Sequence, residues 1–369
     1  MFKKPVLIIQ PEICKKNISK MIDKAKEFDL QFRPHFKTHQ SVKIANWFRE
    51  KGVNKITVSS VSMARYFIND NWKDITIAFP FNINETIDIN KISSDISINL
   101  VVESEFTLKY LVNNLIKYCG IYIKINTGYN RTGLEINDYY NIDKLINRIA
   151  SSKNLEFKGF LTHAGDAYSA KNQVEILTIG ENIRKELSFL KMKYINQFPE
   201  LIISYGDTPS TSLMNDFTGI DEIRPGNFVF YDSMQLMLQT CKFNQIAIAL
   251  VCPVVSINKK RNEVVIYGGA VHLSKEYIPT GDGLKNFGLI SKLNNDYWSE
   301  PIENTFIKSL SQEHGIIQTD EINFKNFNIG DFVAVIPVHI CLTANLMGEY
   351  FTFSGEKLDH FSKYHLHSL

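Results

Sequence analysis

The sequence predicts an α/β chain in which a (β/α)8 barrel of TIM type is followed by a mainly antiparallel β domain, and three observations carry this. Through the first 230 residues short β-rich runs alternate with longer amphipathic stretches, as parallel strands joined by crossover helices do. Eight such runs can be counted, the number that closes a barrel. After Asp232 the helical stretches stop and β-like runs follow one another.

The barrel strands are read at Gln31–Lys37, Lys55–Ser60, Ile75–Phe79, Ser97–Val102, Ile121–Thr127, Phe157–Thr162, Leu201–Tyr205 and Glu222–Phe230. Between them, stretches such as Cys14–Phe28, Ser41–Lys51 and Glu105–Lys117 carry helical spacing. No G-x-G-x-x-G opens the first crossover, which sets aside the open dinucleotide-binding sheet. The β domain is read through Gln245–Ile257, Glu263–Val271, Phe306–Leu310, His314–Gln318 and Phe332–Ile340, with Gly and Asn turns between them. The expected division near residue 235 gives a barrel over 10–235 and a β domain over 236–369, with residues 1–9 returning to join the latter.

Forty-one basic against 39 acidic residues in a chain of 369 leave a net charge of +2. A nucleic-acid binder would carry a basic footprint, so no nucleic-acid partner is expected. The longest apolar stretch, Ile246–Val255, is broken by Pro253 and is far shorter than the roughly 18 residues of a membrane span. The N-terminal run lacks a secretory core and a small-residue cleavage site, which points to the cytoplasm. Five scattered cysteines without C-x-x-C spacing argue for reduced thiols rather than a disulfide framework.

In such a barrel the chemistry is sought just after each strand. The first strand ends in Arg33-Pro34-His35-Phe36-Lys37-Thr38-His39. A lysine at that mouth can lose enough hydration for its amine to become a nucleophile or a base. The seventh ends in Ser204-Tyr205-Gly206-Asp207-Thr208-Pro209, where Thr208 can cap a helix, Pro209 suits its first position, and free backbone N–H groups can hold an anion. Arg131 lies between glycines after the fifth strand, and the eighth carries Arg224, Gly226, Asn227 and, at its mouth, Tyr231. His163 and Tyr168 follow the sixth, a titratable ring and an aromatic face. A reactive lysine, a phosphate cradle, guanidinium groups and aromatic faces on one rim suit a cofactor with an aldehyde, a phosphate and an aromatic ring, which describes pyridoxal 5'-phosphate.

The β domain adds His339-Ile340-Cys341. In an extended segment residues i and i+2 share a face, so an imidazole and a thiolate can reach one ion, a pair that favours zinc over manganese or magnesium. Glu313-His314-Gly315 offers a further active-site base or a strand end.

These motifs resemble the fold-type III pyridoxal-phosphate enzymes, which share the alanine racemase barrel, and within them the D-serine dehydratase and D-threonine aldolase family. The resemblance rests on Arg-Pro-His-Phe-Lys-Thr-His at 33–39, Thr-Gly-Tyr-Asn-Arg-Thr-Gly at 127–133, Ser-Tyr-Gly-Asp-Thr-Pro at 204–209, Arg-Pro-Gly-Asn at 224–227, Glu-His-Gly at 313–315 and His-Ile-Cys at 339–341. It implies that Lys37 carries the cofactor, that the Gly206–Thr208 turn holds its phosphate, and that Arg131 faces its ring oxygen. It further implies a D-amino acid substrate and a homodimer. Val338 and Asp166 depart from the family pattern, in which Asn and His are common at those places. A cysteine at the second metal position resembles the dehydratase branch, and an aspartate there the aldolases. The leading expectation is therefore elimination of water from a D-β-hydroxy amino acid, D-serine first, with His163 and His314 as candidate acid–base groups beside Lys37. Retro-aldol cleavage, racemisation and a non-catalytic cofactor carrier are the rivals.

Overall fold

The structure is a computed structural model that describes residues 3–281 and 283–364; residues 1–2, Asp282 and the 365–369 end of the expected β domain lie outside the described residues. The chain packs into two compact units, one of Ser19–Lys37 and Ala45–Gly226, the other of Met1–Ile18, Thr38–Ile44 and Asn227–Leu369.

The first unit is a nearly closed parallel barrel of eight strands. Around the ring they run Gln31–Phe32, Glu222–Ile223, Ile202–Tyr205, Leu155–Leu161, Cys119–Asn126, Ser97–Val102, Asp74–Pro80 and Lys55–Val58. A parallel bridge between His35 and Thr57 joins the first to the last. Strands covered on both faces read as continuous apolar runs, and Cys119–Asn126 is buried at all eight positions. Inside the barrel Val101, Tyr122 and Leu161 pack together with Ala78 and Ile202, filling the lumen as barrels of this size require.

The first and last barrel strands in the chain are shorter than the sequence pattern predicts, and proline is the reason. The expected Gln31–Lys37 strand ends at Phe32, because Pro34 has no N–H to give the ladder. What fixes the following segment is the Phe36 ring, fully buried against Phe48, Phe67 and Trp72. The expected Glu222–Phe230 strand ends at Ile223 ahead of Pro225, and Asn227–Val229 is a 3₁₀ turn. Tyr231 consequently does not close a barrel strand. It is buried in the second unit with φ of 52°.

The second unit is built on a nine-stranded sheet in the order Glu263–Tyr267, His314–Gln318, Trp298–Leu310, Gly288–Leu293, Phe332–Pro337, Ile248–Asn258, Val6–Ile9, Tyr350–Phe351 and Lys357–Leu358. Neighbours are antiparallel except Val6–Ile9 against Tyr350–Phe351. The strand Glu263–Tyr267 also pairs with Ile248–Asn258, which closes six of the strands on themselves. The expected Phe332–Ile340 strand stops at Pro337, and a helix, Ile340–Met347, follows at once. Gly348, at φ 63°, ends that helix in the left-handed conformation glycine tolerates.

Candidate functional site

Lys37 sits on a turn held from both sides. The His35 N–H donates to the Pro225 carbonyl, the Phe36 N–H to Thr57, and the Thr57 N–H back to Pro34. The Lys37 side chain is exposed, and its own N–H reaches His35 Nδ1 at 3.4 Å. His163 lies near enough to feel both the Lys37 and the Arg131 charge, and these, after burial of the ring, push its pKa down to about 3. Its Nδ1–H donates to the Gly206 carbonyl at 2.7 Å, so the ring is neutral and Nε2 is left as an acceptor. Tyr129 meets the His163 ring edge-on, and the Arg131 guanidinium lies 5.1 Å from the Tyr129 centroid. Lys37, Arg131, His163, Tyr129 and Tyr168 thus form one neighbourhood of the barrel unit.

Beside it is the cradle. The Thr208 N–H donates to Tyr168 Oη and the Gly226 N–H to Thr208 Oγ1, both at a long 3.3 Å. Two backbone donors and two hydroxyls therefore converge there. The helix Thr208–Leu213 is capped by Asp207, which accepts from the Ser210 N–H at 2.6 Å; Thr208 is its first residue, not its cap, which corrects the expected assignment and keeps the Thr208 N–H out of the capping bond. Burial raises the Asp207 carboxyl to about 7, so it is a weaker anion than an exposed aspartate would be beside a bound phosphate. A side chain on Gly206 would press to 3.1 Å from the Arg224 guanidinium.

Arg224 is wholly enclosed. Its Nη2 donates to the Thr162 carbonyl at 2.5 Å and its Nη1 to Ser204 Oγ, which in turn donates to Glu222. Glu222 also accepts from Arg33 Nε at 2.6 Å, and Arg33 pairs with Asp74 at 2.6 Å. Ser204, expected to touch the cofactor, has its one hydrogen committed to Glu222 and acts through Arg224. Desolvation lowers Arg224 to about 10 while Glu222 opposes it. A residue the sequence reading passed over, Lys124, is buried near Arg224 and Arg131 and is brought down to about 7, chiefly by desolvation. Its signal was present, a lone lysine in an otherwise apolar strand.

In the second unit His339 precedes the helix Ile340–Met347 with extended backbone, and Cys341 is in its first turn. The pair therefore stands at a helix start, not along a strand, so the extended-segment argument for a shared face does not apply to it. Cys341 Sγ lies 3.2 Å from Thr38 Oγ1. His339 Nδ1 lies 4.0 Å from the buried Asp232 carboxylate. Asn227, expected at the cofactor, donates to that same carboxylate at 2.6 Å. His314 is exposed at the first position of its strand, opposite Tyr267. Among the described residues no cluster of three His, Cys, Asp or Glu side chains could hold a metal.

Comparison with known proteins matches residues 9–234 to the alanine racemase N-terminal domain. The chain belongs to the alanine racemase-like fold-type III family. Residues 247–353 match a putative serine dehydratase domain, which puts this fold-type III chain in the group of D-serine dehydratase, D-threo-3-hydroxyaspartate dehydratase and D-threonine aldolase. It is 28% identical over 380 residues to a D-serine dehydratase of Dictyostelium discoideum, covering 95% of this chain and 93% of that one. It is 22% identical over 351 residues to a D-threo-3-hydroxyaspartate dehydratase of Delftia sp., covering 92% and 91%. A structure of a D-threo-3-hydroxyaspartate dehydratase variant in the metal-free form, 19% identical, superposes with a TM-score of 0.87 over 98% of both chains and shows the same fold.

As a member of an alanine racemase-like family, the chain is expected to bind pyridoxal phosphate, and its barrel fits that group. The fit rests on the cradle, where the Thr208 and Gly226 N–H groups have only long bonds to hydroxyl oxygens, which a phosphate oxygen could replace as acceptor. For a metal, the donor chemistry of His339 and Cys341 fits a zinc-type ion with water or substrate completing the shell. No helix among the described residues is long and apolar enough to cross a membrane.

Proposed function

We propose that this fold-type III chain eliminates water from a D-β-hydroxy amino acid, with D-serine giving pyruvate and ammonia, using pyridoxal phosphate and zinc. The observation that carries the choice of dehydration is the His339-x-Cys341 pair, with Cys341 Sγ against the hydroxyl of Thr38, the residue after Lys37 in the chain.

In this reading Lys37 would hold the cofactor's aldehyde end, the Thr208 and Gly226 N–H groups with Tyr168 its phosphate, and Arg131 and Arg224 its ring. His339 and Cys341 would hold the metal. The cofactor supplies a carbonyl that condenses with the substrate amine and a ring that takes up the charge released at Cα. The metal supplies Lewis-acid polarisation of the β-hydroxyl. The chain's own part would begin at Lys37 Nζ, which would be the base that removes the Cα proton. His163, neutral and with Nδ1–H committed to Gly206, offers only an acceptor at Nε2. Being neutral, it adds no positive charge beside Lys37. Arg224 keeps its charge because Glu222 compensates it through Ser204. Loss of water from the substrate leaves an enamine, which water hydrolyses to the oxo acid and ammonia.

The test is a lactate-dehydrogenase-coupled assay with D-serine run beside a glycine and aldehyde assay with D-threonine. Pyruvate from D-serine that is abolished by a chelator and restored by Zn2+ is the expected result. Aldehyde and glycine without oxo acid would replace the proposal with retro-aldol cleavage.

A further inference from the structure

Asp232 is completely buried and belongs to none of the motifs at the strand ends. Its Oδ1 caps the helix Ser233–Met237 by accepting from the Gln235 N–H at 2.9 Å. Capping asks for no more than a short polar side chain, and Asn or Ser would serve about as well. The second oxygen is turned away from that helix. It accepts from Asn227 Nδ2 at 2.6 Å and from the Ile340 N–H at 3.0 Å, and it lies 4.0 Å from His339 Nδ1. The same short helix grips the backbone on the other side of His339: Ser233 Oγ donates to the Pro337 carbonyl at 3.0 Å, and the Met234 N–H to Val338 at 3.3 Å. The chain is thus fixed at 337, 338 and 340, with the imidazole between these anchors and the carboxylate beneath it.

A buried carboxylate is retained at a cost unless its charge is used. A carboxylate facing one nitrogen of a histidine fixes the tautomer and leaves the other nitrogen as the donor to a metal. By accepting from Asn227 Nδ2, Asp232 also fixes the Asn227 amide, whose buried Oδ1 has no hydrogen-bond partner among the described residues. We propose that Asp232 is a positioning residue for His339: it takes the Nδ1–H, presents Nε2 to the ion, and couples that ring to the orientation of Asn227. The 4.0 Å separation exceeds a hydrogen bond, and in this proposal the ring turns towards Asp232 when the ion binds. The inference rests on the reading of His339 and Cys341 as the metal pair.

The experiment measures Zn2+ affinity of the holoprotein by competition with a chromogenic chelator for wild type, Cys341→Ala and Asp232→Asn, with circular dichroism as a check on folding. Wild type is expected to bind one equivalent and Cys341→Ala to lose it. Asp232→Asn keeps the cap and is expected to bind about 10- to 100-fold more weakly, while Co2+ bound to it still shows the thiolate charge-transfer band from Cys341. Nitrogen-15 spectra of histidine-labelled wild type with Zn2+, assigned with His339→Gln, need no folded Asp232 variant and should show Nδ1 protonated and Nε2 ligated. No zinc on wild type, or full affinity in Cys341→Ala, overturns the metal reading and this inference with it. Normal wild-type binding with equal affinity in Asp232→Asn, or ligation through Nδ1, overturns the inference alone.

Discussion

Glu222 shows how much of the barrel's chemistry hangs on one buried carboxylate. It faces Arg33 directly and Arg224 through Ser204, so removing its charge leaves two enclosed guanidinium groups undercompensated. Breaking a buried ion pair from one side typically costs about 3–5 kcal/mol. Glu222→Gln is therefore expected to lower stability by that order in urea unfolding, whereas exposed pairs such as Lys43–Glu356 should be worth under about 1 kcal/mol when broken. Lys37 has the opposite profile, since it is exposed and stabilises little. Lys37→Ala should fold with unchanged Tm in the apo form and lose the near-visible absorbance of the lysine-bound cofactor. Retention of that absorbance would show that another amine holds the group.

At the level of elements, the start of the helix Thr208–Leu213 is where two tasks meet. Asp207 satisfies the Ser210 N–H, and this leaves the Thr208 N–H pointing at Tyr168 Oη. Replacing Thr208 by Val keeps the shape but removes the hydroxyl that accepts from Gly226. The expected outcome is weaker retention of pyridoxal phosphate on dialysis, by roughly tenfold for the loss of about 1.4 kcal/mol at a charged ligand, with the melting temperature of the apo protein little changed. The same region shows what sequence patterns conceal. The alternation of runs located every barrel strand, yet Pro34 and Pro225 cut two of them to a pair of residues each. The β-like texture of Pro337-Val338-His339-Ile340-Cys341 concealed a helix start, because its apolar residues serve a strand and a buried helix equally well.

For the whole molecule, the buried histidines set the acid limit. His39 is enclosed, and burial takes its pKa down to about 3; the half-buried His163 is brought to about 3 by loss of hydration together with the nearby Lys37 and Arg131 charges. Unfolding returns both rings to an ordinary value near 6.5, so below that pH the unfolded chain binds protons that the folded chain refuses. Stability is fully present above about pH 6.5 and is lost as pH falls towards 3, by up to about 1.4 kcal/mol per pH unit for each ring. Asp207, raised to about 7, works in the other direction: its folded form holds a proton that the unfolded form releases above pH 4, so it offsets the slope of one ring. Thermal melts of the apo protein should show Tm falling between pH 6.5 and 4.5, and His39→Asn should flatten that fall if the variant folds. A Tm independent of pH over that range would contradict the burial of these rings in neutral form.

The sequence by itself determined the class of fold, the order of the barrel strands, the motifs at their ends and the family those motifs resemble, because periodicity and local spacing are properties of neighbouring residues. Lys37, Thr208 and Arg224 were legible in this way. Lys124, Glu222 and Asp232 were not, since each looks like an ordinary charged residue until its surroundings are known. Only the tertiary structure decided that Glu222 sits between Arg33 and the Ser204–Arg224 pair, or that Asp232 gathers Asn227, Ile340 and His339 across 108 positions of chain. The energy of a buried charge depends on which distant groups are brought within a few ångströms of it, and no local pattern encodes that distance.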